Sequence, residues 1–235
     1  MTHVGVPHLF YFPWCPARPS RYVSLMQSNL RLPEHEMPEL AILGQPVSPV
    51  EVIAAVTGLL SVWFVLKLNQ LTWPLGIVSV GCYALVFFEA KLYADALLQL
   101  AFVVASAHGW QQWRKCGSSA AVDIRVLTGA RNERLAALGG GLMGTAAVGL
   151  VLARLTDSPA PFADAAVFTL SLLATLLQAR RRIEGWWYWV LVDLISVPLY
   201  WSRSLHLTTA LYLIFLVMAF IGLRAWLTRL QAQQA

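Results

Sequence analysis

The sequence predicts an all-α membrane protein with seven transmembrane helices, arranged as two parallel three-helix repeats joined by a central helix. Three observations lead to this fold class. Hydrophobic residues make up 58% of the 235 residues and charged residues only 12%, whereas soluble domains carry about a quarter charged residues. Seven segments are apolar over roughly 17–25 residues, the length at which a helix crosses the hydrocarbon core. The stretches 69–113 and 182–226 repeat each other without a gap.

The repeat keeps a constant offset of 113 positions. Six matched pairs define it: Trp73/Trp186, Leu92/Leu205, Phe102/Phe215, Val104/Val217, Gly109/Gly222 and Trp113/Trp226. Ligand sites of duplicated membrane proteins lie between the repeats, near the middle of the membrane. The duplication therefore points towards a transporter, with its site in the space between the repeats.

The breaks between the apolar segments carry the residues expected of loops. Pro74 falls in the first turn of the second helix, where proline is tolerated. Polar residues at 89–91, 157–161 and 202–204 separate later pairs of helices, and the polar stretch 114–133 is interpreted as a connector. The predicted helices lie near 50–68, 72–89, 92–113, 134–155, 162–181, 186–202 and 206–227.

These boundaries divide the chain into five parts: a peripheral N-terminal tail (1–47), a first repeat (48–113), a connector with the central helix (114–161), a second repeat (162–228) and a C-terminal tail (229–235). Each repeat holds three helices, so a fourth helix between them gives both repeats the same orientation in the membrane. Gly140 and Gly144 in that helix predict a small-residue face at which another helix backbone can approach closely.

Basic residues predict the orientation of the chain. Eleven lie at one set of helix ends and loops: Lys67, Arg114, Lys115, Arg125, Arg131, Arg134, Arg180, Arg181, Arg182, Arg224 and Arg229. The opposite ends carry only Lys91, Arg154 and Arg203, besides three arginines in the N-terminal tail. Cytoplasmic loops collect basic residues, so the C-terminus is predicted in the cytoplasm and the N-terminus outside. The net charge of +5 is thus no sign of nucleic-acid binding.

The sixth predicted helix carries the clearest candidate site. Trp186, Trp189 and Asp193 are spaced so that they share one helical face. Indole faces attract a cationic ring by about 0.5–2 kcal/mol each, and a carboxylate accepts hydrogen bonds from hydroxyl groups or opposes the positive charge. An interfacial aromatic belt is the alternative for Trp186 with its neighbours Trp187 and Tyr188. Asp193 lies two turns inside an apolar helix, where an ionisable group favours a functional interpretation.

The third and seventh predicted helices supply a second wall. Asp95, Gln99 and Phe102 share a face of the third helix. Their repeat mates are Thr208, Tyr212 and Phe215. Asp95 has an alternative role as a cap of the helix start, and Gln99 has one as an interhelical hydrogen-bonding residue.

Two polar residues, Asn69 and Gln70, precede the second helix and are interpreted as caps or as a gate. Catalytic patterns are absent from the sequence, which has no paired His/Glu spacing and no Ser-His-Asp set. Cys15, Cys82 and Cys116 lack metal-ligand spacing. The sequence therefore predicts neither an enzyme nor a metal or cofactor site.

Four motifs, taken in order, resemble the PnuC family of vitamin transporters over roughly residues 50–228. They are Leu71-Thr-Trp-Pro-Leu-Gly-Ile-Val-Ser79, Lys91-Leu-Tyr-Ala-Asp-Ala-Leu-Leu-Gln99, Gly109-Trp-x-x-Trp113 and Trp186-x-x-Trp189-x-x-x-Asp193. The resemblance implies a protein of the bacterial inner membrane with a fold like a full-length version of the SWEET sugar transporters. It also implies facilitated diffusion of a vitamin precursor, most often nicotinamide riboside, with phosphorylation by a cytoplasmic kinase trapping what enters.

In this family the last of the four motifs binds the ligand. The resemblance thus adds to the residue-based candidates, and the predicted substrate-binding set is Trp186, Trp189, Asp193, Gln99, Tyr212, Trp73 and Asn69, with Tyr93, Asp95 and Gln178 as further candidates. Thr175 stands where similar members often carry Gln, although Gln178 is one turn away, and Gly185 stands where they often carry Asn. These departures bear on the substrate more than on the fold.

Several alternatives stay open at this stage. A thiamine transporter of the same family fits the cationic cage equally well, whereas riboflavin is neutral and larger. A membrane sensor that binds the vitamin without moving it is a second alternative. The expected partners are a small-molecule substrate and membrane lipid, and a homo-oligomer is left open.

Overall fold

The computed structural model describes residues 40–42, 45–89, 93–116, 125–156, 158–202 and 206–234. Within them the chain forms seven helices, which match the seven predicted ones in order. They are α1 (Pro49–Leu66), α2 (Thr72–Glu89), α3 (Tyr93–Cys116), α4 (Arg131–Leu155), α5 (Pro161–Ala179), α6 (Glu184–Ser202) and α7 (His206–Ala232). A short antiparallel hairpin, β1 (Leu40–Ile42) with β2 (Gln45–Val47), precedes α1. Most of the predicted peripheral tail, 1–47, lies outside the described residues.

Helix starts follow from capping. Ser48 and Glu51 form a capping box at α1, in which Glu51 N donates to Ser48 Oγ at 3.2 Å and Ser48 N donates to Glu51 Oε2 at 2.9 Å. Such a box satisfies backbone donors that the first turn leaves unpaired. At α4 the Glu133 carboxylate accepts the Ala130 N–H at 2.8 Å. The helix therefore begins at Arg131, three residues before the predicted start.

Five of the described helices are long and apolar enough to cross a membrane, namely α1, α2, α4, α5 and α7. Helices α3 and α6 have 24 and 19 residues, which is also a spanning length, but their composition is more polar. The polar residues are largely internal, since Gln99 and Ser106 of α3 and Asp193 and Ser196 of α6 are all buried. The two helices that are less apolar than a typical membrane-spanning helix thus carry polar groups into the interior of the helix bundle.

Helix packing follows chain order within each repeat, α1 on α2 on α3 and α5 on α6 on α7. The central helix α4 packs against α5. Between the repeats, α3 contacts α5 and α1 contacts α7. Because α1 and α5 are repeat mates, as are α3 and α7, each of these two contacts is the repeat equivalent of the other.

The repeat extends further back along the chain than the matched side chains indicate. Leu68 and Arg181 lie 113 positions apart and both have positive φ, 56° and 58°. Each follows a helix end at which Asn69 N donates to Phe64 O and Arg182 N donates to Leu177 O, both at 2.9 Å. These are matching Schellman terminations. The duplicated unit therefore includes the last turns of α1 and α5, where the side chains differ.

Helix α4 is the most exposed of the candidate spans, with 17% of its apolar window buried. Its glycines divide between two faces. A Cβ on Gly144 would lie 2.6 Å from Thr169 and one on Gly149 would lie 2.4 Å from Phe162, whereas one on Gly140 would meet nothing within 4 Å. The predicted small-residue face is thus correct for Gly144 and wrong for Gly140, because the face against α5 is centred on the buried Gly141 and Gly149, with Gly144 near its edge and Gly140 beyond it.

The residues before α4 are tied to the loop between α5 and α6. We call residues 125–130 the linker strap. Leu127 N donates to Arg181 O at 2.9 Å and Ile183 N donates to Leu127 O at 3.0 Å, which forms an isolated parallel bridge. The Glu184 carboxylate accepts the Gly129 N–H at 2.9 Å. The start of α6 is therefore held by backbone outside its own repeat.

Candidate functional site

A cavity of about 80 Å³ lies between the two repeats. Its described walls come from α1, α2 and α3 of the first repeat and α5, α6 and α7 of the second. The lining residues are Ser61, Val62, Val65, Thr72, Trp73, Gly76, Val80, Phe102, Ser106, Thr175, Gln178, Trp186, Trp189, Asp193, Tyr212, Phe215 and Ala219. This is the position that the duplication predicts for a ligand site.

Six of the ten predicted site residues line this cavity: Trp73, Gln178, Trp186, Trp189, Asp193 and Tyr212. Gln99 is fully buried in α3 but does not line it, and its amide has no partner among the described residues. Asn69 lies outside the cavity in the loop before α2, where its Oδ1 accepts the Leu71 N–H at 2.9 Å. The side chains of Tyr93 and Asp95 fall outside the described residues.

Sequence reasoning missed several small lining residues, Ser61, Thr72, Gly76 and Ser106. Ser61 and Thr72 join α1 to α2, since Ser61 Oγ donates to Thr72 O at 2.7 Å and Thr72 Oγ1 donates to Ser61 O at 2.9 Å. The one available signal was the repeat, because Gly76 is the mate of Trp189 at the offset of 113.

Asp193 supplies the formal charge of the cavity. It is 2% exposed and makes no hydrogen bond or ion pair with the described residues. No Lys, Arg or His occurs among the described lining residues. Because a buried charge is unfavourable unless it is paired, this carboxylate favours a cationic ligand.

Three lining side chains carry unpaired hydrogen-bond donors. Trp73 Nε1, Trp186 Nε1 and Gln178 Nε2 are buried and have no partner among the described residues. An unsatisfied buried donor costs about 1–3 kcal/mol. A ligand that brings hydroxyl or carbonyl oxygens to these groups would recover that free energy.

In each repeat one cavity-lining tryptophan packs against a second tryptophan: Trp73 of α2 in the first repeat and Trp186 of α6 in the second. The Trp73 and Trp113 ring centroids are 5.5 Å apart at 80°, and those of Trp186 and Trp226 are 5.7 Å apart at 86°. These edge-to-face pairs are the favoured aromatic geometry. The second member of each pair also reaches across to the other repeat: Trp226 Nε1 donates to Val65 O at 3.1 Å and Trp113 Nε1 donates to Gln178 O at 3.2 Å.

A glycine lies beneath Trp73 and another beneath Trp186, two of the three tryptophans that line the cavity. A Cβ on Gly109 would lie 2.3 Å from Trp73, and one on Gly222 would lie 2.4 Å from Trp186. Trp186 is accordingly 1% exposed, whereas Trp187 is 56% exposed. The aromatic-belt alternative therefore suits Trp187, and Trp186 is an internal residue of the cavity wall.

The cavity is symmetric in position but not in chemistry. At the offset of 113, apolar residues or glycine of the first repeat match polar or aromatic residues of the second. Four lining pairs follow this pattern: Val62/Thr175, Val65/Gln178, Gly76/Trp189 and Val80/Asp193. Trp73/Trp186 and Phe102/Phe215 are identical pairs, and Ser106/Ala219 shows the reverse pattern. The amide and the carboxylate of the described lining, Gln178 and Asp193, therefore come from α5 and α6 of the second repeat.

Comparisons with known proteins cover the same part of the chain. A family model described as "Nicotinamide mononucleotide transporter" matches residues 48–228, which begin at the α1 capping box. The nicotinamide riboside transporter PnuC of Escherichia coli (strain K12) is 26% identical over 208 residues, covering 78% of this chain and 87% of that protein. The riboflavin/roseoflavin transporter RibM of Streptomyces davaonensis is 30% identical over 183 residues, covering 76% of this chain and 84% of RibM.

A solved structure shows the same architecture. The crystal structure of the vitamin B3 transporter PnuC superimposes on this chain with a TM-score of 0.63 at 25% identity, over 78% of this chain and 82% of that one.

Proposed function

This chain belongs to the PnuC family of membrane vitamin transporters, and we propose that its substrate is nicotinamide riboside, which it carries into the cytoplasm by facilitated diffusion. The observation that carries the proposal is the unpaired Asp193 carboxylate in a cavity whose described lining has no basic side chain. Such a site selects for positive charge, and the pyridinium ring of nicotinamide riboside is a permanent cation.

The remaining groups of the cavity match the rest of that molecule. The indoles of Trp186 and Trp189 present flat apolar surface to the pyridinium ring, with cation–π attraction of about 0.5–2 kcal/mol each. The unpaired donors of Gln178 and Trp73 suit the carboxamide and ribose oxygens. The proposed binding set is therefore the six predicted residues that line the cavity: Trp73, Gln178, Trp186, Trp189, Asp193 and Tyr212.

The same electrostatics disfavour a phosphorylated substrate. A phosphate beside Asp193 would place two negative charges in a medium of low dielectric constant, where their repulsion is much stronger than in water. Phosphorylation by a cytoplasmic kinase would therefore trap the nucleoside inside the cell. On this proposal the kinase is a metabolic partner and no coupling ion is needed.

The proposed movement is a rocking of one three-helix bundle against the other, in a parallel three-plus-one-plus-three arrangement. The equivalence of the α3–α5 and α1–α7 contacts supports that arrangement. All seven helices, α3 and α6 included, would then span the membrane. The distribution of basic residues supports a cytoplasmic C-terminus and an external N-terminus.

Riboflavin is the second candidate substrate, because RibM is 30% identical to this chain. Riboflavin is neutral and would leave the Asp193 charge unpaired, which argues against it. Thiamine has a cationic ring and would pair with Asp193 as nicotinamide riboside does. A membrane sensor would use the same cavity without moving its ligand.

Uptake into sealed liposomes tests these alternatives. We expect the purified, reconstituted protein to equilibrate radiolabelled nicotinamide riboside across the bilayer, and to accumulate it only when a nicotinamide riboside kinase and ATP are enclosed. Uptake of thiamine or riboflavin in its place would reassign the vitamin. Binding without uptake would identify a sensor, and dependence on a pH or sodium gradient would contradict facilitated diffusion.

Replacement of Gln178 by Met removes one unpaired donor and keeps a similar side-chain volume. The ligand-free protein should melt at a higher temperature, because an unsatisfied buried amide no longer costs free energy. Affinity for nicotinamide riboside should fall by about tenfold, which is the loss of one hydrogen bond of about 1.4 kcal/mol. Calorimetric titration and thermal melting of the same samples measure both effects, and unchanged affinity would remove Gln178 from the site.

A further inference from the structure

A second cavity, of about 590 Å³, lies at the surface formed by α4, α5 and α6. It shares no described lining residue with the cavity between the repeats. Leu138, Trp187 and Leu191 line it and are 52%, 56% and 44% exposed. The cavity therefore opens to the outside of the helix bundle.

The chemistry of this cavity changes along its length. One end is formed by the loop between α5 and α6 and the start of α4, and it carries Arg134, Arg180 and Arg182. The rest is lined by leucines and alanines of the three helices: Ala136, Ala137, Leu138, Leu173, Leu177 and Leu191. A ligand that fills the cavity must have one charged end and one apolar end.

The charged end carries one free positive charge. Glu184 pairs with Arg134 at 2.8 Å, and Glu133 pairs with Arg182 at 2.9 Å. Arg180 is exposed and makes no ion pair with a described residue. Two arginines are thus neutralised by glutamates, and Arg180 remains to attract an anion.

The position of the cavity matches the boundary between lipid tails and headgroups. The apolar end continues into the exposed side of α4, where Leu142 and Met143 are 65% and 74% exposed. Trp187 and Tyr188 lie between the two ends of the lining, and these residue types prefer the membrane interface. The basic end belongs to the side of the protein on which the basic residues collect, which is the cytoplasmic side by the positive-inside rule.

We propose that this cavity binds an anionic phospholipid of the inner leaflet. Its phosphate would lie beside Arg180, and an acyl chain would lie along Leu138, Leu177 and Leu191. Basic pockets between helices on the cytoplasmic side are known lipid-headgroup sites. A soluble anion would leave the leucine-lined part exposed, and an apolar peptide would leave Arg180 unpaired, so both halves of the cavity together favour a lipid.

Occupancy should stabilise the protein, because the lining includes the Arg134–Glu184 ion pair, which holds the start of α4 to the start of α6, and the Glu133–Arg182 ion pair, which holds it to the loop before α6. A lipid in contact with these side chains would shield their hydrogen bonds from water. The inference stands apart from the identity of the transported vitamin, since no residue of the repeat cavity takes part.

The test is thermal melting of delipidated protein in a neutral detergent during titration with short-chain phosphatidylglycerol or phosphatidylcholine. We expect phosphatidylglycerol to raise the melting temperature at a concentration at least fivefold lower than phosphatidylcholine. Arg180→Gln should remove that difference. The matched control is Arg224→Gln, an exposed arginine on α7 that does not line the cavity and should leave the difference intact.

Four results would overturn the proposal. Equal effects of the two lipids would exclude recognition of the anionic headgroup, and an equal loss in Arg180→Gln and Arg224→Gln would indicate general surface charge. An equal shift with glycerol phosphate alone would identify a free anion as the ligand. Leu191→Trp fills the apolar end of the cavity from its exposed edge and should weaken phosphatidylglycerol binding. A second copy of the chain would be the occupant if this variant binds phosphatidylglycerol normally and also abolishes a doubled mass that native mass spectrometry shows for the unaltered protein.

Discussion

Asp193→Ala should bind nicotinamide riboside about a hundredfold more weakly than the unaltered protein. The substitution removes the formal charge of the cavity, and a charge pair buried away from water is worth about 3 kcal/mol when one partner is deleted. Folding should not suffer, because the ligand-free protein loses an unpaired buried carboxylate. Calorimetric titration measures the affinity, and the melting temperature should be at or above that of the unaltered protein.

Two companions separate charge from other effects. Val80→Ala alters the repeat mate of Asp193 in the opposite wall of the same cavity and should leave the affinity within a few-fold. Asp193→Asn keeps a hydrogen-bonding group without the charge, so it should weaken the cationic ligand while leaving binding of any neutral competitor unchanged. Full affinity in Asp193→Ala would remove this carboxylate from the site and with it the argument for a cation.

Gly222→Ala should abolish the folded protein or reduce it to a small fraction. The new Cβ would lie 2.4 Å from Cη2 of Trp186, and Trp186 is itself held against Trp226. Overpacking of a filled interior costs about 1–3 kcal/mol or more. Gly109→Ala should behave in the same way because its Cβ would lie 2.3 Å from Trp73. Size-exclusion chromatography after graded heating would report the loss.

The matched control for this pair is Gly139→Ala. Nothing lies within 4 Å of a Cβ at that position of α4, so the change should stabilise the helix by up to about 1 kcal/mol through helix propensity alone. Combining Gly222→Ala with Trp186→Phe should restore folding, since the smaller ring leaves room for the methyl group. If Gly222→Ala folds normally, the absence of a side chain at Gly109 and Gly222 is not what fixes the positions of the Trp73 and Trp186 indoles.

The fold could be predicted from the sequence because a membrane requires apolar segments of spanning length and a particular placement of charged residues, and both are visible in the sequence. All seven helices were predicted in order, and their bounds differ from the structure by up to five residues. The matched pairs Gly109/Gly222 and Trp73/Trp186 revealed the duplication because a clash-free contact requires those residue types. The offset between the two repeats could therefore be determined from the sequence wherever side chains make the contacts that both repeats share.

Contacts made by the backbone could not be predicted. The indole of Trp226 donates to the carbonyl of Val65, and any residue at position 65 would supply that carbonyl. The linker strap is likewise joined through main-chain groups of Leu127 and Ile183. For Asn69 the sequence allowed either a helix cap or a gate, and the structure places its side chain in a local turn. The sequence could not decide between these roles because a turn and a gate use the same residue type.

The three valines with which the first repeat lines the cavity have a consequence for compounds other than the vitamin. A cage with two equal halves would accept a ligand in two orientations related by a half turn, whereas Val62, Val65 and Val80 offer no hydrogen bonds to a polar edge. The part of the bound molecule that lies against these three valines therefore meets only methyl groups. A small apolar substituent on that part would leave in place the groups of the ligand that the protein recognises. An antibacterial nucleoside modified at that part could therefore enter the cell through this protein.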